Sequence, residues 1–222
     1  MDPKLASLAA ALVPHGLLLR GGFHPGPEDG FEDAATLVMI GAAGPAFWRA
    51  FEAYAYEDGA PHPMDRWTRR TLTPIAGALD ARALFPFDGP PHHPFQRWAQ
   101  RAEAVHPSPL GLLIHPEYGL WHAYRAAFAF RERLDLPTHA RRPSPCASCA
   151  ERPCLSACPV GAFSAETGYD VPACTSHLRS PQGESCRTAG CQARRACPIG
   201  RSYAYDSAQA AFHMKAFERA RD

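Results

Sequence analysis

Residues 146–159 read Cys-Ala-Ser-Cys-Ala-Glu-Arg-Pro-Cys-Leu-Ser-Ala-Cys-Pro and contain four of the eight cysteines of this 222-residue chain. All eight lie between positions 146 and 197, whereas the first 145 residues contain none. This asymmetry separates a cysteine-free body from a cysteine-rich module, with a proline-containing linker at 137–145. We therefore predict two domains, at residues 1–140 and 141–222.

The even number of cysteines is compatible with disulfides as well as with metals. Disulfide scaffolds are typical of exported proteins, and the acidic Asp2 is not typical of the basic start of a secretory signal. Structural zinc usually uses two well-separated Cys-x2–4-Cys pairs, whereas here Cys146 and Cys149 begin a single run of four cysteines. Metal clusters are favoured over disulfides, while zinc and a single cluster beside another metal stay open.

The run Cys-x2-Cys-x4-Cys-x3-Cys-Pro is the iron–sulfur run of bacterial ferredoxins with two additional residues before its third cysteine. A second Cys-Pro pair, at 197–198, closes the module. In two-cluster ferredoxins the cysteine before each proline ligates the other cluster, because the chain crosses between the half-sites. The pattern predicts two 4Fe–4S clusters and an electron-transfer role. One cluster would be held by Cys146, Cys149, Cys154 and Cys197, and the other by Cys158, Cys174, Cys186 and Cys191.

The cysteine-free body alternates continuous apolar runs, typical of buried strands, with segments of helical periodicity. This alternation predicts an α+β fold arranged as an α/β sandwich. The predicted helices cover residues 45–51, 64–79 and 95–105, with a further helix at 206–219 that closes the module or pairs two chains. The predicted strands cover residues 36–40, 83–85, 111–114 and 120–130.

The predicted strand 120–130 has one unusual face. Trp121 and Arg125 share that face with alanines, whereas the opposite face is apolar and predicted to be core. A large ring, one cation and otherwise methyl groups leave room for a flat ligand or for a closely packed helix. Both interpretations stay open at this point.

Residues 114–125, Ile-His-Pro-Glu-Tyr-Gly-Leu-Trp-His-Ala-Tyr-Arg, resemble the I-H-P-x-[FY]-G-x-W-x-A-x-R segment of the CblC-type cobalamin-processing proteins. Those proteins have a nitroreductase-like α+β fold and hold cobalamin with its lower base detached. The resemblance therefore implies a nitroreductase-like body that binds a corrinoid. The residues that it assigns to cofactor binding are His115, Tyr118, Gly119, Trp121 and Arg125.

The same body, followed by the cysteine run, also resembles epoxyqueuosine reductases and reductive dehalogenases. Those families join a related cobalamin-binding domain to a ferredoxin-like module whose two clusters supply electrons to the cobalt. Asp88 lies near their catalytic acid, and the resemblance implies the same role for it. The G-L-G-W-x-G-K segment of epoxyqueuosine reductases is replaced by residues 107–111, which makes a tRNA reaction less expected.

These observations predict an iron–sulfur protein that binds base-off cobalamin and passes electrons from two 4Fe–4S clusters to the cobalt. Its activity would be that of a cobalamin reductase or of a cobalamin-dependent oxidoreductase. One alternative is a ferredoxin-like electron carrier whose N-terminal domain docks a partner. Another is a reductase of a small substrate, similar to epoxyqueuosine reductases.

Charge and hydropathy determine the partners that we expect. The formal net charge of +1 gives no overall field to concentrate the chain on nucleic acid or an anionic membrane. The uncharged stretch 34–48 is too short to span a bilayer. We predict a cytoplasmic monomer or homodimer whose partners include neither nucleic acid nor a membrane. The expected partners are a corrinoid and an electron donor such as a ferredoxin, a flavodoxin or a flavin reductase.

Overall fold

The computed structural model describes residues 2–54, 60–138, 140, 142–164, 166 and 168–221. The chain divides into two compact units, Met1–Ala104 with His122–Arg141, and Val105–Trp121 with Arg142–Asp222. This division differs from the predicted boundary at residue 140, because Val105–Trp121 belongs with the cysteine-rich segment. Positions 139 and 141 of the predicted linker lie outside the described residues.

The regular elements follow one another along the chain as short helices and strands. The helices are α1 (Pro3–Leu12), α2 (Ala46–Glu52), α3 (Pro63–Ala78), α4 (Phe95–Ala102), α5 (Pro153–Ser156), α6 (Val171–Arg179), α7 (Glu184–Ala189), α8 (Gln192–Arg195) and α9 (Ser207–Arg219). The strands are β1 (Leu18–Phe23), β2 (Thr36–Ala43), β3 (Ala81–Leu84), β4 (His106–Pro107), β5 (Leu113–Ile114), β6 (His122–Phe130), β7 (Phe163–Ser164) and β8 (Gly168–Tyr169).

The first unit is built on a four-stranded antiparallel sheet in the order β1–β2–β6–β3. The central strand β2 is buried along its whole length, as its uninterrupted apolar sequence predicts. Helix α1 begins where Asp2 accepts a hydrogen bond from the Lys4 N–H at 2.8 Å, and its buried leucines are Leu5, Leu8 and Leu12. The predicted mixed α/β character is confirmed.

Strand β6 contains a β-bulge that changes the expected face. Ile40 on β2 lies opposite Ala126, but the next residue, Gly41, lies opposite Tyr124, so Arg125 is the extra residue. A bulge interrupts the alternation of faces along a strand. Moreover, β6 begins at His122, and Trp121 belongs to the other unit. The prediction of one strand face that carries both Trp121 and Arg125 is therefore wrong.

The second unit combines the two-stranded ribbons β4–β5 and β7–β8 with the helices α5 to α9. Helix α9 begins after Asp206, which accepts a hydrogen bond from the Gln209 N–H at 2.8 Å. It packs on α7, and Ala210 of α9 lies close to Gly190 at the end of α7. Of the two roles predicted for this helix, the structure shows the closing of the module. The apolar core of the unit consists of Leu110, Ile114, Leu120, Phe163, Ala193 and Cys197.

A helix can cross a membrane only if it is long and apolar enough. Within the part of the chain that the structure describes, no helix combines the length and the apolar character needed to cross a bilayer.

Candidate functional site

Four of the eight free thiols form one group, the first cysteine set. Burial and then the charge of Cys197, with a smaller contribution from Cys149, raise the pKa of Cys146. Burial and the charges of Cys197, Cys146 and Cys149 likewise raise the pKa of Cys154. Because charge effects weaken with distance, these four thiols lie in the same part of the second unit. The first cysteine set is thus Cys146, Cys149, Cys154 and Cys197.

The remaining four thiols form the second cysteine set, which consists of Cys158, Cys174, Cys186 and Cys191. Burial, and then the charges of Cys186 and Cys174, raise the pKa of Cys191, although backbone N–H groups partly oppose this shift. All four residues line one cavity of about 200 Å³. Apolar side chains supply much of the rest of its wall, including those of Leu110, Phe163, Met214 and Phe217.

The two sets interleave along the chain. Cys197, the last cysteine, joins the first three, whereas Cys158 joins the later group. These are the groups that the crossed assignment from the two Cys-Pro pairs predicts. Sequence spacing therefore anticipated which thiols lie together, while their role as ligands stays a prediction.

The number and type of donor atoms in each cysteine set determine which metal it could bind. Each set offers four soft thiol ligands, which suit iron–sulfur clusters and zinc. Among the described residues, no three His, Cys, Asp or Glu side chains meet closely enough to hold one metal ion. In a 4Fe–4S cube the thiolates bind different irons, so the four sulfurs can stand apart around it. The number and type of donors in each set match what one such cluster needs.

Backbone N–H groups point at several of these sulfurs. The Ala162 N–H donates to Cys158 Sγ at 3.3 Å. The backbone N–H groups of Arg194 and Ala193 act to lower the pKa of Cys191. Hydrogen bonds of this kind favour the thiolate over the thiol, and it is the thiolate that binds metal.

Two side chains with polar hydrogens accompany the second cysteine set. Tyr169 lines the cavity of this set, and burial, followed by its interaction with Cys174, raises the pKa of Tyr169 far above its ordinary value. His177 lines the same cavity, and its Nε2 is buried with no hydrogen-bond partner among the described residues. Neither residue was predicted. For His177 a signal existed, because positions 174 and 177 fall on one face of a helix.

His115 and Tyr118, which the resemblance assigned to the corrinoid, hold a tight turn in the second unit. The Nδ1 of His115 accepts hydrogen bonds from the N–H groups of Glu117 and Tyr118, each at 3.1 Å. The rings of His115 and Tyr118 stack with centroids 4.3 Å apart. The Tyr203 hydroxyl donates to Glu117 at 2.5 Å and fixes the other side of the turn.

Gly119 allows this turn to approach the chain that follows Cys197. Its φ is +58°, in the left-handed region that favours glycine. A Cβ at this position would lie 2.0 Å from the backbone oxygen of Ile199. The glycine therefore has a packing role beside the first cysteine set.

Trp121 is a buried packing residue of the second unit, with 5% of its surface exposed. Its ring meets that of Tyr205 at a centroid distance of 5.3 Å. The Arg194 guanidinium lies 4.6 Å from the Trp121 ring centre and 4.5 Å from that of Tyr205. Arg194 Nε also donates to the Leu120 oxygen at 3.1 Å, which ties the turn to α8.

Arg125 faces a helix in the first unit. It donates to Asp65 at 2.8 Å and to the Thr68 hydroxyl at 3.0 Å, both on α3. Of the two interpretations of its strand face, the packed helix is the one that the structure shows at this residue. The residues assigned to corrinoid binding thus make internal contacts within their own units, Arg125 in the first and the others in the second, and their binding role stays a prediction.

Asp88, the predicted catalytic acid, is held as an ion pair with Arg69. Its other carboxylate oxygen accepts a hydrogen bond from the Phe85 N–H at 2.9 Å. Burial raises the pKa of Asp88, but the hydrogen bonds from Arg69 and Phe85 and the charges of Arg69 and His93 outweigh it, so the pKa is lowered. In this arrangement the group is an ionised acceptor, and proton donation would require its release from Arg69. The catalytic role stays a prediction.

A buried ion pair in the first unit was not anticipated. Arg20 Nη2 lies 2.6 Å from Glu103 Oε1, and the two side chains are 1% and 9% exposed. The Tyr124 hydroxyl also donates to Glu103, and Arg20 Nη1 donates to the Ala42 oxygen at 3.3 Å. The paired charges are 83 positions apart in sequence, so local patterns could not reveal them.

Loss of one partner of this pair has a large expected cost. Glu103→Ala leaves the Arg20 charge buried, and we expect the free energy of unfolding to fall by about 3–5 kcal/mol. Arg82→Ala is the control, since the Arg82–Asp33 pair is 53% exposed on both sides and should contribute less than about 1 kcal/mol. Urea unfolding of both variants measures the difference. Equal, small effects would show that the buried pair is dispensable.

The chain resembles known proteins in its structure rather than in its sequence. No protein-family model and no curated protein matches the sequence. Among solved structures, epoxyqueuosine reductase from Streptococcus thermophilus matches with a TM-score of 0.55 and 15% identity, over 93% of this chain and 68% of that chain. The Caenorhabditis elegans B12-trafficking protein CblC, a human MMACHC homologue, matches with 0.57 and 14%, over 97% and 96%. The chain has the fold of these two groups of proteins.

A second epoxyqueuosine reductase, solved with an epoxyqueuosine-modified tRNA-Tyr stem loop, matches with a TM-score of 0.54 and 18% identity, over 91% of this chain and 66% of that chain. For a third, the chain spans only 54% of the length. The suspected relationship to CblC and epoxyqueuosine reductases is therefore confirmed at the level of the fold. The activities of those longer proteins are not established for this chain by the likeness.

The prediction that nucleic acid is not a partner is wrong. A protein that shares this fold has been solved with an epoxyqueuosine-modified tRNA stem loop. The physical reason for the error is that a net charge of +1 is a sum over all side chains, and such a sum can hide local basic regions.

Proposed function

We propose that the second unit holds two 4Fe–4S clusters, one on each cysteine set, and that the protein is a reductase or cobalamin-processing protein that uses them for one-electron transfer. The observation that carries this proposal is the sorting of eight free thiols into two interleaved groups of four. In this account the second unit is a ferredoxin-like module and the first a nitroreductase-like body.

The side chains around the thiols support cluster binding in two ways. Apolar residues such as Leu110 and Phe163 limit the access of water to the second cysteine set. Backbone N–H groups stabilise the thiolates Cys158 and Cys191. Once bound, the clusters supply one-electron oxidation and reduction.

The electron acceptor that we propose is the cobalt of a base-off cobalamin. The support is the fold that the chain shares with a B12-trafficking protein over nearly its whole length. Because Trp121 and Arg125 are engaged in separate internal contacts, we assign no contact residue to the corrinoid. A reductase of a small substrate is the second candidate, and it is favoured by the fold of the epoxyqueuosine reductases.

Electron paramagnetic resonance of added cob(II)alamin tests the proposed acceptor. Anaerobically reconstituted protein should remove the superhyperfine splitting that the lower nitrogen imposes on the cobalt signal, because that base is detached on binding. Bovine serum albumin at the same concentration serves as the control for non-specific effects. An unchanged cobalt signal beside a full iron content would contradict the cobalamin proposal and leave an electron carrier or a reductase of another substrate.

A further inference from the structure

A cavity of about 540 Å³ lies in the first unit, at the edge of the sheet where β3 begins and β6 ends. This volume is in the range of cavities that hold small molecules. The strand residues Ala81, Ala129 and Phe130 form part of its lining. The rest of the lining consists of three cations and three carboxylates, which belong to Lys4, Arg82, Arg131, Asp33, Asp80 and Glu132.

Four of these six charged side chains already have partners. Lys4 Nζ lies 2.9 Å from Glu132 Oε1, and Arg82 Nη2 lies 3.1 Å from Asp33 Oδ1. The guanidinium of Arg131 and the carboxylate of Asp80 form no hydrogen bond or ion pair within the part of the chain that the structure describes. One cation and one carboxylate of the cavity are therefore left for a ligand.

The local backbone explains why these two charges do not pair with each other. Ala81 lies opposite Phe130 in the antiparallel register of β3 and β6, so Asp80 and Arg131 occupy the next opposing positions. Opposite charges at opposing positions of paired strands attract each other. Asp80, however, has a φ of +55°, in the left-handed region, and β3 begins only at the residue that follows it. Strand pairing therefore ends before the two charges can meet.

We propose that this cavity binds a free amino acid with an uncharged, polar side chain. The carboxylate of the ligand pairs with Arg131, and its ammonium group pairs with Asp80. A zwitterion has no net charge and matches the balanced lining, whereas a simple anion or cation is repelled by the three side chains of its own sign. The two flanking ion pairs offer hydrogen bonds to a polar side chain. The inference does not depend on the proposed function, because the first unit contains no cysteine.

Isothermal titration calorimetry of the full chain with L-glutamine tests the proposal, and two analogues separate the contributions of the ligand charges. N-acetyl-L-glutamine lacks the ammonium group, and L-glutaminamide lacks the carboxylate. Each analogue should bind at least about tenfold more weakly than L-glutamine, because one charge-assisted hydrogen bond is lost in each case.

Asp80→Asn and Arg131→Ala remove the two protein charges. Both side chains are exposed and asparagine tolerates a positive φ, so the fold should be retained. Each variant should bind L-glutamine at least about tenfold more weakly. In Asp80→Asn the loss of the ammonium group should have no further effect, and in Arg131→Ala the loss of the carboxylate should have none. Arg133→Ala is the matched control, because Arg133 is exposed and does not line the cavity, and its affinity should be unchanged.

Failure of L-glutamine to bind would overturn the inference, and so would equal affinities for L-glutamine and both analogues. These comparisons use the unsubstituted chain and stand whatever a substitution does to folding. An affinity for L-glutamine that stays unchanged in both Asp80→Asn and Arg131→Ala would show that the amino acid binds elsewhere, and would also overturn the inference.

Discussion

Cys197→Ala is expected to remove one cluster and leave the other. Cys197 stands at the end of the module, yet its charge acts on Cys146 and Cys154 at the beginning. Without its thiolate the first cysteine set retains three ligands. The iron content of the reconstituted variant should therefore fall from about eight to about four atoms per chain, since each cluster contains four irons.

Cys158→Ala is the matched experiment for the other set. Cys158 is near the first set in sequence but lines the cavity of the second. Its loss should remove the cluster of the second set and leave about four irons per chain in the cluster of the first set. Cys197→Ala should do the reverse. The double variant should then retain none. If Cys158→Ala and Cys197→Ala removed the same cluster, the crossed arrangement would be refuted.

Gly119→Ala has the second large expected effect, on stability. An added Cβ would lie 2.0 Å from the Ile199 oxygen, and because this oxygen belongs to the backbone it cannot turn away as a flexible side chain could. The positive φ adds a conformational cost to the steric one. We expect the free energy of unfolding to fall by about 3–5 kcal/mol, at the upper end of single substitutions. Chemical denaturation of the reconstituted protein measures it.

Gly111→Ala separates the two contributions. Gly111 has a similar φ of +72°, but nothing lies within 4 Å of an added Cβ. This control should lose only the conformational part, about 1–2 kcal/mol. Equal losses in the two variants would show that the close approach of Gly119 to Ile199 is unimportant for stability.

The grouping of the thiols could be predicted from sequence, because in the ferredoxin pattern the cysteine before each proline ligates the other cluster. The position of each Cys-Pro pair specifies which half-site a cysteine joins. Strand β2 could also be predicted, because its signal is a local one, an unbroken apolar run. The shared fold could be predicted from a dense segment at 114–125, although its residues serve packing and ion pairing.

Features that depend on distant partners could not be predicted. The bulge at Arg125 is defined by its pairing with β2, and nothing in the alternating sequence of β6 marks it. The assignment of Trp121 to the cysteine-rich unit depends on Arg194 and Tyr205, which follow it by many residues. Partners of this kind become visible only once the chain is folded.

The most direct test of the account is the iron and acid-labile sulfide content of the anaerobically reconstituted chain, with Mössbauer spectroscopy to identify the cluster type. Two clusters require about eight irons and eight sulfides per chain, all in 4Fe–4S clusters. A chain that takes up only four irons, or that binds zinc in their place, would contradict the central claim that the two cysteine sets each hold a cluster.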